Sequence, residues 1–301
     1  MEPIIHLKNI SQINQFVKSK TNHPLVSVVD FSKTDEYIED GTRISADFYT
    51  IMFKNYCANK LRYGRKNYDF QDGSLICIAP KQVITMDGEI ENREDMLGWG
   101  LFFHPDILRG TTLSSKMHEY TFFNYDTAEA LHLSDKEKQI LFDCVQKIEF
   151  ELQENIDNHS QNLIVTNIEL LLNYCARYYG RQFITRKNAN TNTVAQIEKL
   201  LTTYFKTDQL KENGLPTVKY LADNVHLSAS YLSDLLKKET GMNAQDHIHY
   251  YLIEEAKNIL LGTQNSISEI AYSLGFEYPQ YFSKLFKQKT GHTPVAYRKL
   301  N

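Results

Sequence analysis

An α+β fold is predicted for this chain of 301 residues. A β-rich N-terminal domain ends in a helix pair, and an all-α domain of two helix-turn-helix motifs joined by a linker helix follows. Three observations predict this. Residues 24–104 hold short runs rich in Val, Ile, Tyr and Phe between turn residues. From Ser134 the apolar period lengthens to that of helices. Residues 231–241, YLSDLLKKETG, return as residues 281–291, YFSKLFKQKTG, with six of eleven positions identical, which marks a duplicated element.

Each N-terminal element follows from its residues. Leu7, Ile10, Ile13, Phe16 and Val17 predict a short amphipathic helix over 7–20. The runs LVSVVDF, DFYTIMF, YDFQDGSLICIAP, QVITM and GWGLFF predict strands of a sandwich or barrel over 24–110. Corners fall at Gly73-Ser74, Pro80 and Asp87-Gly88. Ser134 and Glu137 make a capping box, after which Leu141, Val145, Ile148, Leu152 and Ile156 recur on one helical stripe. Ile164, Ile168, Leu171, Cys175 and Tyr178 form a second stripe over about 160–179. This pair, 134–180, either covers one face of the β domain or forms a dimer interface. RQFITRKNANTNT, residues 181–193, has no periodicity and reads as a linker between domains 1–180 and 194–301.

Beyond the linker, helices are predicted at 194–206, 217–225, 229–238, 244–261, 266–274 and 280–289, with the two motifs at 217–241 and 266–291. Leu221, Ala222, Val225 and Leu227 match Ile270, Ala271, Leu274 and Phe276 at an offset of 49, against 50 for the recurring stretch. One residue therefore enters the second copy before its second helix. Ser228 caps one helix, Ser266 and Glu269 form a capping box, and Gly275 occupies a turn that needs positive φ, where its counterpart is His226. Gly241 and Gly291 close the second helix of each motif. Ile248, Leu252, Ala256 and Leu260 form a stripe that would pack against both motifs. Some 18 residues make this linker helix roughly 27 Å long, which with its turns approaches the ~34 Å between successive major grooves on one face of DNA.

Composition agrees. The hydrophobic and charged fractions, 42% and 23%, suit a globular protein that needs no disulfide or metal to fold. Cys57, Cys77, Cys144 and Cys175 form no C-x-x-C pair and read as buried thiols of a reducing compartment. With no basic and apolar leader and no run of 18 apolar residues, a cytoplasmic protein is expected. The net charge of −4 opposes nucleic-acid binding, but its distribution does not. Residues 278–301 hold Lys284, Lys287, Lys289, Arg298 and Lys299 and no acidic side chain.

The duplicated motif, the interposed LIEEAKNILL, the string ISEIAYSLGFEYPQYFSKLFKQKTGHTPVAYR and the closing TP-x-x-YR resemble the DNA-binding domain of the AraC/XylS family of transcription regulators, over about 215–298. The order of the preceding segments is similar to that family's cupin-like effector domain and dimerising helices. The resemblance implies a sequence-specific DNA-binding transcription regulator whose N-terminal domain senses a small molecule, dimerises, or both. Its partners would be a double-stranded DNA operator and RNA polymerase, with room for a small-molecule effector and a homodimer. Carried over residue by residue, Ser230, Ser233 and Asp234 would face bases from the first recognition helix, and Tyr278, Pro279, Gln280 and Lys284 from the second. Gln280 can bond adenine in bidentate fashion, and Lys284 can reach guanine O6 and N7. Lys237, Lys238, Lys287 and Lys289 would hold phosphates. Tyr231, Leu232, Leu235, Leu236, Tyr281, Phe282, Leu285 and Phe286 read as motif core. Asp234 departs from the basic or amide residue often found there, and Leu252 from an Arg, so the first motif should hold DNA less strongly.

The competing reading is a cupin-type metal-dependent enzyme with an accessory helical domain. His104 in LFFHPDIL has no H-x-H partner and no Glu at ligand spacing, and the cysteines form no zinc-thiolate cluster. No catalytic residue, metal ligand or cofactor is therefore assigned. Tyr49, Arg62, Tyr63, Tyr68, Trp99 and Phe102 either line a small effector pocket or pack as core aromatics.

Overall fold

The computed structural model describes residues 4–34, 41–54, 73–86, 98–126, 129–185, 187–207 and 209–300. Cys57, Arg62, Tyr63, Tyr68 and the Asp87-Gly88 corner lie outside the described residues. The chain divides into two compact units, 1–185 and 186–301.

In the first unit, strands β2 (Val26–Asp30), β4 (Tyr49–Lys54), β5 (Ser74–Ile78), β7 (Gly98–Phe103) and β8 (Leu131–His132) form one antiparallel sheet in the order β2-β7-β4-β5-β8. A second sheet, β1-β3-β6, joins β1 (Ile4–Leu7), β3 (Thr42–Ala46) and β6 (Val83–Met86), with β1 and β3 parallel. Five of these eight strands were legible as alternating runs. β1, β3 and β8 were not, being short and mixed in composition.

Because side chains alternate across a strand, each strand of the larger sheet feeds two cores. Met52, Ile76 and Ile78 cluster with Ala130, Phe31 and Ile84, while Val29 and Phe102 pack with Leu7, Ile10, Ile13, Ile44 and Phe48. On the opposite face Ile51, Leu75, Leu101 and Phe103 are fully buried, and Cys77 approaches Cys175 of helix α4. Among the described cysteines, Cys77, Cys144 and Cys175 are buried free thiols. The predicted helix at 7–20 is shorter, because Asn9 and Gln12 form a capping box that starts α1 at Ile10 (Ile10–Phe16) and leaves Leu7 in a strand.

A short helix, α2 (Thr112–Lys116), lies between β7 and β8 in the chain; helices α3 (Asp135–Gln153) and α4 (Ser160–Thr185) pack against each other, with α3 also against β2 and α4 against β8. Their predicted stripes are buried within the unit, except Ile156, which lies beyond the end of α3 and is 67% exposed. A different apolar set, Phe142, Phe150, Leu163 and Leu170, faces outward.

Residues 181–193 are helical rather than an irregular linker, apart from Arg186, which is not described: α4 continues to Thr185 and α5 (Lys187–Lys206) begins two residues later. Tertiary bonds override the weak local pattern. Gln182 accepts from His132 N–H at 2.9 Å and donates to Ala130 O at 3.1 Å, and Phe183 is buried beside it. Asn190, also buried, donates to Glu239 at 3.1 Å. The rest of the second unit is α6 (Gln209–Asn213), α7 (Val218–Val225), α8 (Ala229–Thr240), α9 (Ala244–Gly262), α10 (Ile267–Ser273), α11 (Pro279–Thr290) and α12 (Pro294–Leu300). Helix α9 packs against α5, α7, α8, α10 and α12.

Replacing Gln182 by Leu should destabilise the first unit by about 2–4 kcal/mol, because a buried carbonyl and N–H lose their partners together. Urea unfolding followed by the fluorescence of Trp99, the chain's one tryptophan, reads this unit directly. An unchanged midpoint would show that the Gln182 bridge carries no stability.

Candidate nucleic-acid interface

The two motifs are built alike from their caps upward. Thr217 Oγ1 accepts from Tyr220 N–H at 3.1 Å to start α7, while Ser266 and Glu269 cap α10 reciprocally at 3.2 and 2.7 Å. Each first helix then ends on the same bond. Leu227 N–H donates to Ala222 O, and Phe276 N–H to Ala271 O, both at 3.0 Å. The turn needs one left-handed residue, which is His226 at φ 58° in one motif and Gly275 at φ 80° in the other. Gly275 is constrained twice, since a Cβ there would stand 3.1 Å from Gly214 Cα. Ser228 Oγ accepts from Tyr231 N–H at 3.1 Å to begin α8, and Pro279 occupies the first turn of α11. Gly241 and Gly291, both at φ 80°, end these helices.

The caps fix which faces point outward. Along α8, Ser230, Ser233 and Asp234 are half-buried at the spacing of one stripe, and Lys237 and Lys238 are exposed at its end. Along α11, Gln280, Lys284 and Lys287 follow at i, i+4 and i+7 and are all exposed, with Pro279 half-buried and Tyr278 48% exposed at the helix start. The structure thus brings each set onto one side of its helix.

One residue differs from its sequence assignment, and two basic side chains have partners within the domain. Tyr281, assigned to the core, is 61% exposed and meets Tyr278 edge to face at 5.9 Å, whereas its counterpart Tyr231 is buried. The packing partners differ: α8 lies against α7, α9 and also α5, whereas α11 lies against α10 and α12 alone among the main contacts. Lys289 is engaged with Asp246 of α9 at 2.8 Å. Arg298 is engaged as well. Its guanidinium donates to Leu260 O and Asn265 O at 3.0 and 2.7 Å, closing the C-terminus of α9. The exposure of Tyr281 had one sequence signal, the Tyr278/Tyr281 pairing at i, i+3; the Lys289 and Arg298 contacts had none, because their partners lie 33 to 43 residues away.

A family model described as a helix-turn-helix domain matches residues 221–300. The chain is 36% identical over 84 residues to an uncharacterized HTH-type transcriptional regulator, YisR, of Bacillus subtilis (strain 168), which covers 28% of this chain and 29% of that protein. It is also 36% identical over 84 residues to the xylose operon regulatory protein of Escherichia coli (strain K12), covering 28% and 21% respectively. Residues 221–300 are an AraC-type helix-turn-helix domain. The match spans less than a third of either relative's own length. Among solved structures, the C-terminal domain of the two-component response regulator yesN from Fusobacterium nucleatum is 33% identical, covering 36% of this chain and 98% of that one with a TM-score of 0.31.

Within the AraC-type domain, one titrating side chain supports the first recognition helix. His247 is buried in α9 with Nε2 2.8 Å from Thr240 Oγ1, whose hydroxyl also reaches Leu236 O at 2.8 Å. In the second motif Thr290 repeats the bond to Phe286 O at 2.8 Å, but Tyr297 takes the position of His247 and packs on Phe286 at 5.4 Å. Burial pushes the His247 imidazole below its usual 6.5.

In the first unit, the described aromatic candidates, Tyr49, Trp99 and Phe102, divide between the two faces of the larger sheet. Tyr49 stacks on Phe103 at 5.0 Å and Trp99 packs on Phe53, on the helix-facing side of the sheet, while Phe102 points to the other side against Phe48. His104 caps the turn that follows β7, accepting from Asp106 N–H at 3.3 Å. Among the described residues no group of three or more His, Cys, Asp or Glu is arranged to hold a metal ion, and no helix is long and apolar enough to cross a membrane.

Since His247 binds its proton less tightly folded than unfolded, its stabilising contribution is complete above about pH 6.5 and is lost as the pH falls below that value. His247→Gln, which keeps a hydrogen-bonding side chain but cannot be protonated, should flatten the pH dependence of stability below neutrality. Denaturant unfolding by circular dichroism at about pH 5.5 and 7.5, with Trp99 fluorescence marking the first unit's transition, measures it. Equal pH slopes in wild type and variant would remove this role.

Proposed function

We propose that the chain is a transcription regulator that binds a double-stranded DNA operator through two successive major grooves. The observation that carries this reading is the pair of matched helix-turn-helix motifs set at the two ends of α9. Its 19 residues give an axis of roughly 28 Å, to which the flanking turns add. Ser230, Ser233 and Asp234 read one groove, and Tyr278, Pro279, Gln280 and Lys284 the other, joined by the exposed Tyr281 ring. Lys237, Lys238 and Lys287 grip phosphates. RNA polymerase is the partner that such a regulator meets at a promoter.

The N-terminal unit is a cupin-like sandwich in this reading, acting as a sensing domain, a dimerising domain, or both. Its two-sheet order and the helix pair behind it support that assignment. The outward set Phe142, Phe150, Leu163 and Leu170 supports dimerisation through α3 and α4. A groove of about 510 Å³ beside Phe150, lined also by Asp143, Gln146, Lys147, Glu151 and Asn167, gives this face relief. Phe150→Asp should then convert a dimer to a monomer in sedimentation equilibrium without loss of helix content.

Selection of bound fragments from genomic DNA tests the main reading and returns the site. On that site Lys284→Ala should weaken specific binding, and Gln280→Ala should relax preference at one base pair by about 1–3 kcal/mol. Loss of one phosphate contact lowers the slope of log K against log salt by about 0.9, so Lys287→Ala should flatten it at least as much as Lys237→Ala. No enrichment of any sequence, or full binding by both base-facing variants, contradicts the proposed contacts.

A further inference from the structure

The two recognition helices end on equivalent struts of different chemistry. Near the end of α8, Glu239 accepts from Asn190 Nδ2 of α5 at 3.1 Å. At the matching place in α11, fifty residues later, Lys289 Nζ lies 2.8 Å from Asp246 Oδ1 of α9. The partners correspond as well. α5 ends at Lys206 and α9 at Gly262, so Asn190 and Asp246 each stand sixteen residues before the last residue of their helix. Each recognition helix is therefore braced near its C-terminal end by a polar contact to an earlier helix, α5 for α8 and α9 for α11.

The struts differ in what they join. α5 follows no recognition helix, whereas α9 follows α8 after only Gly241, Met242 and Asn243. The first turn of α9 is held to that junction: Asn243 Oδ1 accepts from Asp246 N–H at 2.9 Å, and His247 sits 2.8 Å from Thr240 Oγ1 of α8. A side chain anchored on Asp246 is thus anchored to the frame of α8. Lys289 belongs to the last turn of α11. The ion pair consequently ties the C-terminal ends of the two recognition helices, in addition to the path along α9 and α10.

We infer that Asp246 and Lys289 are positioning residues that set the mutual orientation of α8 and α11, and with it the spacing between the two halves of the DNA site. The inference rests on the reading of α8 and α11 as groove-reading helices. Lys289 is thereby a strut rather than a phosphate ligand. The hydrogen bond from Lys289 holds the Asp246 carboxyl below its usual range, so the aspartate stays ionised at neutral pH. His249, one turn on, faces both charges. Burial, with the Lys289 charge, pushes its imidazole down, so it stays neutral and leaves the carboxylate to the lysine.

The test uses the full chain and its selected DNA site, with one or two base pairs added or removed between the half-sites. Wild type should bind the altered sites markedly more weakly. Asp246→Asn and Lys289→Met should each cut that discrimination about twofold to fivefold, the scale of a partly exposed ion pair. Combined, they should do no worse than either alone, and Lys289→Arg should retain the wild-type preference. Both side chains are over a third exposed, so neither substitution opens a core, and circular dichroism checks that helix content is kept. Unchanged discrimination in both single variants overturns the inference. So does a Lys289→Met loss that is uniform over all spacings and flattens the salt slope while Asp246→Asn is silent, which is the behaviour of a phosphate contact. If wild type itself ignores spacing, the two-groove reading fails first and the inference falls with it.

Discussion

The apolar stripe of α9 is the constraint on which the C-terminal unit depends, because helices of 8, 12, 7 and 12 residues in the two motifs are too short to persist alone. Ile248, Leu252, Ile253, Ala256 and Leu260 are buried along it. Each large aliphatic side chain contributes about 1.5–3 kcal/mol on burial, on a helix that packs against α5 and α12 as well as against both motifs. Small residues do the complementary work. Ala222, Ala256 and Ala271 are almost wholly buried and let the backbones of crossing helices approach. Leu252 thus fills a packing position completely, and a charged side chain there would have to leave the core to reach DNA.

What could be read in advance was what short-range chemistry controls. Capping residues, turn glycines and the offsets of 49 and 50 are local, and they recur in the structure as the paired bonds of Leu227 to Ala222 and Phe276 to Ala271. The apolar stripes of α3 and α4 were legible for the same reason. Long-range contacts decided the rest. Residues 181–193 look unstructured by pattern, yet Gln182 and Asn190 are each held by a partner about fifty residues away. Strands β1 and β8, of four and two residues, carry too few side chains to display a period. Trp99 and Phe102, legible either as pocket lining or as core aromatics, are both buried, and the pleat sends them to opposite faces of the sheet.

Basic side chains near the C-terminus are divided between solvent and partners within the domain. Five basic residues near the C-terminus suggested a concentrated footprint, but Lys289 meets a carboxylate and Arg298 two helix-end carbonyls. Along α8 and α11 the exposed lysines outside this ion pair number two each, Lys237 and Lys238 on one and Lys284 and Lys287 on the other. The two helices still differ in charge between Asp234 and its counterpart Lys284.

The left-handed turn residues give the two motifs different evolutionary latitude. At position 226 the side chain is exposed, and histidine already accepts the φ of 58°, so substitutions there trade only a modest backbone preference. At position 275 any side chain must accept φ 80° and also displace the backbone of Gly214. The turn of the first motif can therefore vary with little cost to the backbone. The turn of the second is held to glycine by a neighbour that lies outside the motif altogether.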